Sequence, residues 1–256
     1  MTGKDDYYNR AKQEGYRARS AYKLQQLDET ANLFDDGDTV VDLGAAPGGW
    51  LQVAAEEVGP QGKVVGVDLQ RIDDLDTHQV STIPGDMTEE ETRDHLRREL
   101  GGAEADVVIS DMAPNMTGEY ELDHARSVHL ARTAFETATE FLKPGGDFVA
   151  KVFQGKDLDD LEADIEASFQ YVRRVDPDAS RDSSSEVYLV AKGFTTAPVA
   201  TGDRLTVEIT DTGTEGDGIA KVDSFTVFVA GADEGEEIEV TVTDVKPNFA
   251  FAERVE

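Results

Sequence analysis

The chain has 256 residues, 54 of them acidic and 24 basic, for a formal charge of −30, and it contains no cysteine. This length predicts one large domain or one and a half; the missing thiols exclude disulfides, thiolate metal sites and a cysteine nucleophile; and the acids are scattered through periodic segments, which excludes a simple disordered acidic tail. A globular protein this acidic repels itself in dilute buffer, so the composition suits salt concentrated enough to shorten the screening length to ~3 Å or less, and the chain reads as halophilic.

Residues 1 to 24 carry six bases (Lys4, Arg10, Lys12, Arg17, Arg19, Lys23) against three acids (Asp5, Asp6, Glu14), with Tyr7, Tyr8, Tyr16 and Tyr22 interleaved. Two readings stand side by side: a nucleic-acid arm of cations and stacking rings, or a solvated amphipathic arm whose tyrosines pack on the domain. Ala18 to Leu33 repeats apolar residues at helical spacing and leads into Thr39 to Trp50, TVVDLGAAPGGW. There an apolar run breaks into a glycine-rich turn and enters the helix-like stretch Leu51 to Val58. Gly44, Gly48 and Gly49 clear side chains from the approach, the next helix offers free N–H groups to a carboxylate or phosphate, and Asp42 can orient a donor. The spacing is not G-x-G-x-x-G, so the dinucleotide fingerprint of a nicotinamide dehydrogenase is absent.

A second apolar run, KVVGVDL, ends in Asp68, about twenty residues past the turn, where doubly wound sites place a ribose-binding carboxylate. A third, VSTIPGD, ends in Asp86. TEEETRDHLRREL opens with acids and closes with Arg97 and Arg98, matching the helix macrodipole. DVVISD is a fourth strand ending in Asp111, followed by the loop MAPNMTGEY. Residues 122 to 142 form the longest helical pattern, stopped by Lys143-Pro144-Gly145-Gly146. DFVAKVF is a fifth strand carrying Lys151; 157 to 169 is an acidic helix, 171 to 175 a short strand, and 186 to 191 the last. Strands alternating with helices imply a mostly parallel doubly wound sheet, covered on both faces, with ligands outside the C-terminal strand ends. Beyond about Val199 the pattern turns to alternating strands without helix, a separate all-β barrel of about 60 residues. Residues 198 to 256 hold fourteen acids and four bases, which argues against phosphate binding by this barrel.

An unpaired buried ammonium is costly, so Lys151 within an apolar run must reach solvent or sit at a site. Lys23, Asp111, Lys151 and Glu186 are each readable as solvated end residues; in a doubly wound sheet they can also converge beside the glycine-rich turn. Two lysines and two carboxylates suit methyl transfer to a poorly acidic hydroxyl, where alignment lowers the barrier and a neutral lysine accepts the proton.

These residues also resemble the FtsJ/RrmJ (RlmE) ribose 2′-O-methyltransferases, over about residues 7 to 194, through YKL in ARSAYKLQQL, DLGAAPGGW, SDMAPN, KVFQG and SSSEVYLV. The resemblance implies a Rossmann-like seven-strand sheet and a Lys-Asp-Lys-Glu tetrad at Lys23, Asp111, Lys151 and Glu186, with Lys151 the proton acceptor. It also implies S-adenosyl-L-methionine as cofactor, held at Gly48, Trp50, Asp68, Asp86 and Asp111, and a uridine ribose of 23S rRNA in the large ribosomal subunit as substrate. The tail resembles a TRAM domain, an RNA-binding, OB-like barrel, which places a boundary between residues 1–196 and 197–256. The rivals are the same chemistry on tRNA and a non-catalytic RNA-binding assembly factor. No apolar stretch approaches a membrane span and no signal peptide precedes the acidic N-terminus, so the expected site of action is the cytoplasm. His78, His95, His124 and His129 lack metal-ligand spacing, and His124 and His129 are expected on one exposed helix.

Overall fold

A computed structural model describes residues 3–180, 185–213 and 216–255. The side chains of Lys4 and Asp5, and the serines at 183 and 184, lie outside the described residues. The elements run α1 (Gly3–Glu14), α2 (Ala21–Ala31), β1 (Thr39–Leu43), α3 (Gly49–Glu57), β2 (Lys63–Asp68), β3 (Val80–Pro84), α4 (Glu90–Leu100), β4 (Ala105–Ser110), α5 (Tyr120–Phe141), β5 (Leu142–Phe153), α6 (Leu158–Glu166), β6 (Phe169–Val175) and β7 (Glu186–Phe194). There follow β8 (Arg204–Thr212), β9 (Gly218–Val222), β10 (Phe225–Val229), β11 (Glu237–Val245) and β12 (Phe249–Arg254).

The first seven strands form one sheet in the order β3-β2-β1-β4-β5-β7-β6. β1 to β5 are parallel, while β7 runs antiparallel to both of its neighbours. The central strands are buried on both faces, which is why they read as unbroken apolar runs and not as alternating ones. On one face Leu96 and Leu100 of α4, Ala131, Ala134 and Ala138 of α5, and Leu161 and Ile165 of α6 pack over Val41, Val108 and Phe148. On the other, Leu24 and Leu27 of α2 and Trp50, Leu51 and Val53 of α3 cover Val40, Ile109 and Val149. The expected doubly wound sheet is therefore present.

Strand order reverses between β1 and β4, and the loops leaving those two strands open a crevice at the C-terminal edge. Because β7 is antiparallel, its first residue arrives at that same edge: Glu186 pairs with Phe153 and Tyr188 with Lys151.

Several local expectations shift. β3 ends at Pro84, leaving Asp86 in the turn that follows. Lys143-Pro144-Gly145-Gly146 does end α5, but β5 already begins at Leu142, which pairs with Ala105 across an irregular register. The N-terminal arm forms a helix, and its tyrosines pack: Tyr7 and Tyr16 lie 5.4 and 5.7 Å from Tyr22, centroid to centroid. Its cations are largely spent within the protein. Arg10 pairs with Glu14, Arg17 donates to the carbonyls of Asp73 and Asp74, and Arg19 donates to that of Ala179. Tyr8 stays exposed.

The last five strands close into a barrel, β10-β12-β11-β8-β9, around Val207, Ile209, Val227, Val229, Val240 and Val242. β9 was not foreseen from sequence.

Candidate active site

A cavity of about 640 Å³ lies at the switch point, lined among others by Gly44, Ala46, Asp68, Asp86, Asp111 and Met112. That volume suits a nucleoside-sized ligand. Gly44 has φ +78°, and a Cβ there would stand 2.3 Å from Met112 Cγ, so the turn tolerates no side chain. Asp68 fastens the turn to the end of β2: its Oδ2 accepts from the Ala46 N–H at 2.9 Å and its Oδ1 from Gln70 N–H at 2.7 Å. Asp86 accepts from the Thr88 N–H and hydroxyl at 2.9 and 2.8 Å.

Gly48 and Trp50 do not line this cavity. Gly48, at φ +106°, caps the start of α3. Trp50 sits in the first turn of α3 with its indole in the core, donating to the Ser20 carbonyl at 2.8 Å, so what it can offer a ligand is its backbone N–H at the helix start.

Asp42 occupies the middle of β1, 1 % exposed, and neither carboxylate oxygen has a hydrogen-bond partner. Burial pushes its carboxyl well above the usual carboxylate range, and the charges of Asp111 and Asp68 push it further. The three carboxylates on the cavity wall, Asp68, Asp86 and Asp111, form a set that complements a cation.

Beside the cavity stand two ammonium groups and two carboxylates. Lys151, on β5 and 7 % exposed, donates from Nζ to Asp111 Oδ1 at 2.9 Å and to the Asp111 carbonyl at 2.6 Å. Lys23, on α2, is ion-paired to Glu186, and both are buried. Burial raises the Glu186 carboxyl, but the hydrogen bond from Lys23 and its charge outweigh that and hold it below the ordinary value, with Lys151 adding to the effect.

Tyr188 links the two pairs. Its hydroxyl donates to Asp111 Oδ1 at 2.7 Å, and its ring lies 5.8 Å from Lys23 Nζ. Burial, then the charges of Asp111 and Glu186, push the phenol well above its usual value, so it remains a donor. Sequence reasoning passed over Tyr188, although it stands two residues after Glu186 and so faces the same side of β7.

His124 is not on an exposed face. It falls on the buried stripe of α5 with Ser127, Ala131 and Ala134, because that half of the helix packs against the end of β5. Its Nδ1 donates to the Phe153 carbonyl at 2.9 Å, and its Nε2 accepts from Asp157 N–H at 3.2 Å. With Ser127 Oγ accepting from Phe153 N–H and the Tyr120 hydroxyl donating to the Gln154 carbonyl, α5 clamps the chain just beyond Lys151. His129 borders the cavity.

A switch-point cavity walled by carboxylates, beside a buried lysine held by a carboxylate from the next strand, defines a doubly wound α/β domain with a candidate ligand site at its C-terminal edge. The family follows from similarity: the FtsJ-like methyltransferase model matches residues 16–194 and the TRAM domain model residues 198–255, and the chain belongs to the FtsJ-like methyltransferase family with a TRAM domain after it. Two relatives named Ribosomal RNA large subunit methyltransferase E are similar over the whole chain. That of Halorubrum lacusprofundi is 70 % identical, with 95 % of its own length covered, and that of Natronomonas pharaonis is 68 % identical, with 100 % covered. A crystal structure from Plasmodium falciparum, of a protein named as a ribosomal RNA methyltransferase, superposes with a TM-score of 0.63 at 27 % identity. It covers 70 % of this chain and 98 % of its own.

Proposed function

We propose that the chain transfers a methyl group from S-adenosyl-L-methionine to the ribose 2′-hydroxyl of a uridine in 23S rRNA of the large ribosomal subunit. The observation that carries this reading is the convergence of Lys23, Asp111, Lys151 and Glu186 at one sheet edge beside the cavity. The relatives' names support the choice of RNA. When bound, S-adenosyl-L-methionine supplies an electrophilic methyl on a sulfonium; Asp68, Asp86 and Asp111 are the side chains that hold it, with Gly48 and Trp50 contributing backbone.

Lys151 takes the proton of the 2′-hydroxyl. Its two contacts to Asp111 fix Nζ beside the cavity, where it can meet the ribose hydroxyl. Tyr188 fixes the same Asp111 oxygen from the other side, so the base is held by a rigid partner. Lys23 and Glu186 act as a pair: Glu186 stays ionised and holds the Lys23 ammonium near the ring of Tyr188. Residues 1–196 form the methyltransferase domain and 197–256 the barrel domain of this reading, and a ribosomal substrate places the protein in the cytoplasm. Among the described residues no helix is long and apolar enough to cross a membrane.

The test is transfer of labelled methyl, in molar potassium chloride, to large subunits, free 23S rRNA and tRNA, with ribose-methylation mapping. Label on one ribose of 23S rRNA is the expected result. Label on tRNA alone overturns the choice of substrate, and cofactor binding with no RNA labelled by any route leaves a non-catalytic assembly factor.

A further inference from the structure

Large apolar side chains stay exposed around the catalytic edge of the sheet: Leu69 in the loop after β2, and Met116, Tyr120 and Leu122 where the loop after β4 turns into α5. Tyr120 is the aromatic member, 59 % exposed, and yet it is fixed at both ends. Its hydroxyl donates to the Gln154 carbonyl at 2.6 Å. Beneath the ring, the buried Asp123 accepts from the Thr117 N–H and hydroxyl at 2.9 and 2.8 Å and from the Gly118 N–H at 3.0 Å, which ties the first turn of α5 to the incoming loop.

Gln154 connects this ring to the reacting groups. It follows Lys151 by three residues, about 10 Å of strand, and its N–H donates at 2.7 Å to the carbonyl of Ser185, the residue before Glu186. An exposed ring therefore stands over the exit of β5, between the strand that carries Lys151 and the one that Glu186 begins. Its flanking acids, Glu119 and Glu121, repel phosphate and leave the ring face as what this turn offers a ligand. Lys156, exposed two residues past Gln154, has no carboxylate within ion-pair distance among the described residues and is the nearby partner for a phosphate.

We propose that Tyr120 is a substrate-positioning residue, a fixed platform on which an unpaired base stacks in the RNA strand that brings its ribose to Lys151. The inference rests on the reading above that an RNA ribose reacts there, and it adds the side chain that holds the strand in place. Single-stranded RNA is commonly held by stacking of splayed bases on aromatic rings, and every base presents a π-face for this. A ring already ordered by its hydroxyl loses little freedom when a base arrives. Stacking also survives concentrated salt, in which counterion release adds less to phosphate contacts.

The experiment uses the full chain in molar potassium chloride, with 23S rRNA and with an oligouridine carrying 5-iodouridine, a base that cross-links under long-wavelength light to an aromatic ring stacked on it. Peptide mapping is expected to find an adduct at Tyr120. In methyl transfer to 23S rRNA, Tyr120→Leu, which keeps apolar bulk without a π-face, is expected to raise KM about tenfold at unchanged kcat, the mark of lost ground-state binding. Tyr120→Phe, which keeps the ring and gives up the hydroxyl, is expected to stay within about twofold of wild type, with cofactor affinity unchanged in both. Wild-type KM in Tyr120→Leu, or no adduct at Tyr120, overturns the proposal. So does a fall in kcat shared equally by Tyr120→Phe and Tyr120→Leu, which would make the residue only a clamp on the end of β5. A lower oligomeric state in Tyr120→Leu overturns it as well, by assigning the exposed rim to a second copy of the chain. If the wild type methylates rRNA while Tyr120 proves irrelevant, only the platform fails. If no RNA is methylated while the adduct forms at Tyr120, the platform stands and the assigned reaction fails.

Discussion

The sheet and the barrel handle charge in opposite ways. In the sheet, the functional charges are buried and paired side by side, Lys151 with Asp111 and Lys23 with Glu186, where solvent ions cannot enter between them. In the barrel, charge is spread over the outside, mostly of one sign, and one face, where Phe228, Phe249 and Phe251 touch, is aromatic. The contrast teaches that an acidic chain suited to concentrated salt keeps its chemistry where salt does not reach.

The strongest way to break this picture is at Lys151. Lys151→Ala is expected to lower methyl transfer by about 10²–10⁴-fold, the usual worth of a positioned acid–base group, while calorimetry gives a cofactor affinity within a few-fold of wild type. Turnover near the wild-type rate would remove Lys151 from the reaction. Next comes the buried Lys23–Glu186 pair. Removing one partner strands the other, so Glu186→Gln or Lys23→Met is each expected to cost roughly 3–5 kcal/mol in unfolding measurements, and the double variant less than either. The pH sign follows from the lowered Glu186 carboxyl: the pair's stabilisation is complete above the ordinary carboxylate value and is lost as pH falls through the lower, folded-state value. A wild type whose acid unfolding matches that of the double variant would show the pair to be idle.

Asp42 has the opposite sign. Its folded-state carboxyl is raised, so the folded chain keeps a proton that the unfolded chain releases, and stability falls as pH climbs from the ordinary value toward the raised one. Asp42→Asn removes that dependence. Its stability relative to wild type is expected to grow by about 1.4 kcal/mol for each pH unit in that interval, read from denaturant midpoints. A constant difference across pH would show that Asp42 ionises freely in the fold.

Much of this was legible because of how parallel strands are buried. Runs covered on both faces end abruptly in polar residues, so Asp68, Asp111 and Lys151 announced themselves at or near strand ends. Glu186 was visible as the start of a strand, but its arrival at the catalytic edge depends on β7 running antiparallel between β5 and β6, and periodicity does not encode direction. Trp50 follows the glycine-rich turn in sequence, but which part of it meets a ligand is not encoded there: its indole is buried in the core. His124 is expected on an exposed helix, whereas its spacing from Ser127, Ala131 and Ala134 puts it on the buried stripe. β9 escaped because GIAKV is short and opens on glycine. The Phe228–Phe249–Phe251 triangle joins residues about twenty apart in sequence and exists only through the parallel pairing of β10 with β12.

The smallest expected effect sharpens the comparison most. If the aromatic face of the barrel meets RNA by stacking, Lys221 beside it is an accessory, and Lys221→Ala should weaken oligouridine binding only about twofold in molar salt, well below the loss on Phe251→Ala. A residue that contacts one phosphate contributes about one unit to the slope of log affinity against log salt. Titrating wild type and Lys221→Ala over a range of potassium chloride concentrations therefore measures the cation's share directly, and the expected slopes differ by one or less. Equal losses at Lys221 and Phe251, with a steep wild-type slope, would mean that the barrel grips phosphate after all. The fourteen acids of residues 198 to 256 would then have to be explained by something other than the division of charge between sheet and barrel.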